Sequence, residues 1–213
     1  MSDMTSSSLA TVSVTDALRA ALRERILDGQ LPGGAAVAEV DVARWYGVSR
    51  PSAKTAIRTL VHEGLLRHEP NRAAYVPRLS TDDVEDLFLV RVPLEEAVTR
   101  LLAAGDRPLA AAHDAVRALR RVEPDAPTSR FVEADLRFHE ALVDATGSPR
   151  LRRLFASLGG EIHLCMVQTR QLLGRNRIAG EHAGILRAIE AQSSGAVELM
   201  REHLAGARKA LRL

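Results

Sequence analysis

The chain has 213 residues, 46% of them hydrophobic, and 29 Lys/Arg against 27 Asp/Glu give it a net charge of +2. That length suits two modest cores, so a two-domain reading is natural. A single cysteine, Cys165, excludes an intrachain disulfide framework and suits a reducing cytoplasm, and no apolar run approaches the roughly 20 residues needed to span a bilayer.

Residues 1–14 are Ser/Thr-rich and lack the basic and apolar regions of a signal peptide, so a disordered tail is expected there. Thr15 then offers an N-cap for a helix through Asp28, with Leu18, Leu22, Ile26 and Leu27 inward and Gly29 as its stop. Leu31-Pro32-Gly33-Gly34 is a turn. Glu39–Tyr46 reads as a short helix with Val42, Trp45 and Tyr46 inward, ended by Gly47. Ser49 caps the next helix, and Pro51 in its first turn costs little, because that turn has no intrahelical N–H bond to lose. Ala53, Ile57 and Leu60 share the core face of this helix. Arg50, Lys54 and Arg58 recur every four residues on another face, a row of cations that can lie along a phosphate backbone or simply be solvated.

Two helices joined by a tight Gly-Val-Ser turn have the form of a helix-turn-helix, whose second helix enters the DNA major groove. Leu65–Glu69 and Ala73–Pro77, about a Pro70-Asn71-Arg72 turn, read as a two-stranded wing. Residues 1–78 carry ten basic and eight acidic residues, whereas residues 79–213 carry nineteen of each, so the whole excess charge falls in the N-terminal third. That mild bias agrees with a nucleic-acid partner without requiring one.

Residues 76–80 read as a linker, and everything from Thr81 onward reads helical. Ser80 with Asp83 forms a capping-box-like start to a helix running through Leu87, Leu94, Val98 and Leu101 to Gly105, in which Pro93 predicts a kink or break. Further amphipathic helices are expected at about 107–122, 129–146, 148–173, 178–193 and 195–212, each bounded by Gly, Pro or Ser. The expected fold is therefore mainly α: a winged helix-turn-helix of three helices and a two-stranded wing over 15–78, joined to an all-α helical bundle over 79–213.

Four residues of the bundle raise the possibility of a metal. Asp135 and His139 are four apart and leave one face of one helix, while His182 and His203 sit on the last two helices. Imidazole with carboxylate suits zinc first, or nickel, iron, manganese or cobalt, and a bundle interior can gather such ligands from facing helices. Spacing alone favours an Asp–His ion pair with two unrelated surface histidines over a metal, since no HExxH-type motif is present. His163 either lines the same cavity or is a packed core residue, and His62, His68 and His113 read as surface positions. Arg91 and Glu95 are either a surface ion pair of small worth or an inward Arg able to receive an effector carboxylate. Cys165, between Leu164 and Met166, reads as a small core residue.

Taken together, these stretches resemble the GntR superfamily of bacterial regulators, in particular its FadR-like subfamily with an FCD effector domain. The resemblance runs from about Thr15 to Arg208 and rests on Leu22–Gly33, Gly47–Arg50 and Leu60–Leu66 in the first part. In the second part it rests on Asp86 with Arg91–Glu95, Asp135–His139, Glu181–Ile189 and His203-Leu204. It implies a metabolite-responsive transcription factor, a repressor by the usual family outcome, that dimerises on operator DNA. It also implies a metal held by Asp135, His139, His182 and His203 beside a pocket for a small carboxylate effector, with Arg91 facing that effector. Ser49, Arg50, Lys54, Arg58 and, on the wing, Arg72 are the expected DNA contacts. Two departures stand out: Lys54 replaces the family's forked Arg with a point charge, and Ala73 stands where the wing usually has Gly. The competing readings are a metal-dependent enzyme acting on a carboxylate, and a metal-free bundle that serves only to dimerise.

Overall fold

The computed structural model describes residues 13–169 and 175–211; residues 1–12 of the expected tail, with 170–173 and 212 of the expected helices, lie outside these. The N-terminal head begins with α1 (Val14–Leu27), whose N-cap is Ser13 rather than Thr15: the Ser13 hydroxyl accepts from the Asp16 amide at 3.1 Å. Val14, assigned to the tail on sequence, is thus already helical. Next come β1 (Ala36–Val37), α2 (Glu39–Tyr46), α3 (Arg50–His62) and β2 (Ala74–Tyr75). Leu18, Leu22 and Ile26 of α1 meet Val42 of α2 and Ala53, Ile57 and Leu60 of α3 in one buried cluster.

Gly47 makes the turn between α2 and α3: its φ of 63° is left-handed, a conformation a Cβ disfavours, and it lets the chain reverse within three residues. Ser49 then caps α3 by accepting from the Ser52 amide at 3.2 Å, as expected.

Two expectations for the head change. Trp45 is 47% exposed, not inward, and the Arg25 guanidinium lies over its ring at 5.1 Å. In an eight-residue helix with one buried residue, Val42, the apolar stripe is too narrow to cover it. The wing is also paired differently. β2 runs antiparallel to β1, with Ala36 opposite Tyr75 and Val37 opposite Ala74, while the stretch 65–69 contributes one bridge, Arg67 to Tyr75. Leu65 and Leu66 are drawn into the core directly after α3, which leaves little of that stretch free to pair.

The helical body consists of α4 (Thr81–Ala103), α5 (Ala110–Arg120), α6 (Thr128–Ala145), α7 (Pro149–Thr169), α8 (Arg175–Glu190) and α9 (Ala196–Leu211). α4 starts from a complete capping box between Ser80 and Asp83 and continues through Pro93 without a break. It is the central helix, packed against α6, α7, α8 and α9, and its outer side leaves Leu101 54% exposed instead of inward. Head and body share a seam. Arg67 pairs with Asp83 and Glu161, Gln168 brackets the linker by contacting Pro77 and Leu79, and the Ser129 hydroxyl donates to Asp28 at 2.7 Å. α7 approaches the end of α3 so closely at Gly160 that a Cβ there would lie 1.9 Å from the Glu63 carbonyl oxygen.

Candidate functional site

α3 presents Arg50, Lys54 and Arg58 to solvent on the face opposite its buried Ala53, Ile57 and Leu60. None of the three cations meets a carboxylate among the described residues, so their charge is available to an outside anion. Ser49 stands at the start of the same face with its hydroxyl committed to the cap. Arg72 lies exposed at the wing turn, where Asn71 has a φ of 63°, and is held by Glu69 at 2.9 Å. Tyr75 donates to the other oxygen of Glu69 at 3.1 Å. This exposed pair is worth little and can be exchanged for a phosphate.

The second constellation is buried at the centre of the body. Asp135 and His139 project from α6, His182 from α8 and His203 from α9, and all four are at most 5% exposed. The Nε2 atoms of His182 and His203 are 3.2 Å apart, His182 Nε2 is 3.4 Å from Asp135 Oδ1, and His139 Nε2 is 4.0 Å from Asp135 Oδ2. The structure thus brings together all four residues named from the sequence, and the reading of His182 and His203 as unrelated surface histidines does not hold.

Two carboxylates orient this cluster, and sequence reasoning had not assigned them that role. Glu95 receives His139 Nδ1 at 2.5 Å, and Glu181 receives His203 Nδ1 at 2.8 Å. Each bond turns the Nε2 lone pair of its ring toward the centre, the arrangement that fixes a metal-ligating imidazole. The neighbours Arg91–Glu95 and Glu181–His182 were visible as pairs, but which imidazole each acid meets depends on how the helices pack.

Arg91 and Glu95 are 1% and 2% exposed and joined at 2.6 Å, so the surface-pair reading is overturned. Burial alone would push the Glu95 carboxyl up; its contacts with the His139 imidazole and the Arg91 guanidinium outweigh that and hold it at about 2. His182 is driven well below the ordinary histidine value by burial, and then by the neighbouring His203, His139 and Arg91. Phe138 stacks on its ring at 3.9 Å, shielding it further from water.

The fit to a cation follows from these contacts. With His203 Nδ1 donating to Glu181, its Nε2 is a lone pair aimed at His182 Nε2, and two lone pairs 3.2 Å apart need a proton or a metal between them. A proton leaves other groups stranded: His139 Nε2, Asp135 Oδ1 and His182 Nδ1 are buried without a hydrogen bond. Nitrogen ligands at about 2.0–2.1 Å from a tetrahedral ion stand about 3.3 Å apart, close to the spacing found.

The remaining histidines and the cysteine lie elsewhere. His163 does not line this cluster; it is buried on α7 at the seam, facing α1 and α6. His62 and His68 are exposed, and His113 makes an exposed contact with Glu190. Cys165 is buried, and burial pushes its thiol up to about 12, so it is an inert packing residue.

Known proteins give the same two-part division. Residues 14–76 match the model of bacterial regulatory proteins of the gntR family, and residues 86–206 match the FCD domain. Over 190 residues, 89% of this chain and 84% of the relative, the sequence is 27% identical to the "Probable D-xylose utilization operon transcriptional repressor" of Paenarthrobacter nicotinovorans. It is 25% identical over 149 residues to the HTH-type transcriptional regulator YdhC of Bacillus subtilis, spanning 66% of that protein's length. The fold superposes with a TM-score of 0.79 on a crystal structure described as a GntR transcriptional regulator from Rhodococcus sp. RHA1, at 24% identity and covering 92% of this chain and 96% of that one. The chain is therefore a DNA-binding transcriptional regulator belonging to the GntR family of bacterial regulatory proteins, with an FCD domain as its helical body.

Proposed function

We propose that this regulator is a cytoplasmic repressor that dimerises on its operator and releases it when a small carboxylate metabolite binds beside a divalent transition metal in the helical body. The observation that carries the reading is the convergence of Asp135, His139, His182 and His203, with Nδ1 of two rings anchored by buried or half-buried acids. Those four residues would hold the metal, zinc being the first choice for this donor set. When bound, it supplies a Lewis-acid position that a ligand carboxylate can complete. Arg91 supplies a second positive group: its Nε is engaged by Glu95, and its charge already reaches His182.

Binding rather than turnover is favoured by the fate of the extra carboxylates. Glu95 and Glu181 are each committed to an imidazole Nδ1, so neither stands free as a general base. In the head, Arg50 at the start of α3 would read base edges, Ser49, Lys54 and Arg58 would lie near phosphates, and Arg72 would exchange Glu69 for the backbone or minor groove. The effector acts by binding one arrangement of the body better than the other and so biasing the spacing of the two heads.

The test is metal analysis of the purified protein together with operator binding, in parallel for three proteins. Wild type should carry about one equivalent of metal per chain and lose operator affinity with a cognate carboxylate. His182→Ala should lose metal and the carboxylate response while keeping operator binding, and Arg50→Ala should keep metal and lose sequence-specific binding. A metal-free wild type, or His182→Ala with full metal content, overturns the metal reading in favour of a bundle that only dimerises.

A further inference from the structure

A second cavity lies away from the imidazole cluster, on the seam between head and body. It measures about 480 Å³ and is walled by Arg23 of α1 and Asp28 at its C-cap, Arg130 and Glu140 of α6, and His163 of α7. His163 is 3% exposed, and neither ring nitrogen makes a hydrogen bond of ordinary geometry; the Ser129 backbone, a weak partner, and the charge of Asp28 favour its charged form. A buried imidazole with poorly matched nitrogens carries a desolvation cost that a Leu or Phe at this position would avoid.

The cavity wall offers both signs of charge. Arg23 is tied back to Glu63 at 3.2 Å and Asp28 is occupied by the Ser129 hydroxyl, whereas Arg130 and Glu140 make no ion pair or side-chain hydrogen bond among the described residues; burial raises the Glu140 carboxyl, and the more distant charges of Arg23 and Arg137 favour its ionised form. One free guanidinium, one free carboxylate and an unmatched donor–acceptor ring around one cavity call for a ligand with an anionic end, a cationic end and a polar middle.

We propose that this seam cavity is a second small-molecule site, taking a zwitterion of amino-acid size with its carboxylate on Arg130, its ammonium on Glu140 and its polar body against His163. The cavity walls come from α1 of the head and from α6 and α7 of the body, so an occupant would hold the two parts in one arrangement. The site would thus give a second input to DNA binding, independent of the metal and its carboxylate.

The experiment uses full-length protein with 15N-labelled histidine rings, titrated separately with each proteinogenic L-amino acid and with acetate and methylamine, which carry one charge each. At least one amino acid should move the His163 ring signals saturably, while acetate and methylamine leave them in place. Arg130→Ala and Glu140→Ala, both at exposed positions, should each weaken that binding by at least about tenfold, the loss of one charge-assisted hydrogen bond. His182→Ala should leave it unchanged. No saturable shift from any amino acid, equal binding of acetate or methylamine, insensitivity to both wall substitutions, or loss of binding in His182→Ala would each overturn the proposal.

Discussion

Glu95 does two jobs with its two oxygens, one on Arg91 at 2.6 Å and the other on His139 at 2.5 Å, and it does both out of water. Removing its charge isolates the Arg91 guanidinium in the interior and frees the His139 ring to rotate. Glu95→Gln should therefore destabilise the fold by about 3 kcal/mol, the usual result of breaking a buried pair from one side. It should also weaken binding of the proposed metal by about 10–100-fold through the lost orientation of His139. Urea unfolding checks the first effect and competition with a chromophoric chelator the second. Adding Arg91→Met should recover part of the stability, because no buried cation is then left unpaired, but none of the metal affinity. That split separates the ion pair from the imidazole support. It would fail if the double variant regained both.

α4 shows at the scale of one element how far a sequence can be read. Its start, its length and its inward Leu87 and Val98 follow from a capping box and a 3.6-residue period, both local properties. Its outward face was misread because Leu101 is apolar yet 54% exposed, as is Leu89 at 72%. Leu89, Pro93, Ala97 and Leu101 recur every four residues, a stripe suited to another helix by the i±4 ridge of side chains it forms. β1 was missed for the opposite reason. Two residues carry no period, and their pairing partner is nearly forty positions away at Ala74 and Tyr75. The site divides the same way: Asp135 and His139 were legible as an i,i+4 pair, the assignment of His182 and His203 came from the family's motif, and Glu181 as the support of His203 depends on α8 packing on α9. The stripe on α4 also carries a prediction. If it is the dimer surface, Leu89→Glu with Leu101→Glu should convert the protein to a monomer by sedimentation velocity and lower operator affinity severalfold or more, while the metal content stays unchanged. A dimer that survives both charges would move the interface elsewhere.

Across the whole molecule, the seam is where stability should depend on pH. Burial, with help from the Arg23 charge, pushes His163 down to about 4, against the opposing pull of the Ser129 backbone and Asp28. In the unfolded chain the ring titrates near 6.5, so between that pH and about 4 the unfolded state binds the extra proton and the folded state does not. Stability must then fall as pH falls through this window, by up to about 3 kcal/mol once both states are protonated. The groups around the ring do not reverse the sign: Arg23 from α1 and Arg130 and Arg137 from α6 are cations that disfavour a charged imidazole, and the acids facing it, Glu24 from α1 and Asp28 at its C-cap with Glu133 and Glu140 from α6, have not lifted it above its ordinary value. His163→Leu removes the titrating group and the unmatched nitrogens together. Its chemical-denaturation stability at neutral pH should equal or exceed that of wild type, and its decline from pH 7 to pH 4.5 should be shallower by about 2–3 kcal/mol. The comparison is a difference between two proteins that share every other titrating group, the imidazole cluster included, so a parallel pair of pH profiles would show that His163 is matched by a partner in solution.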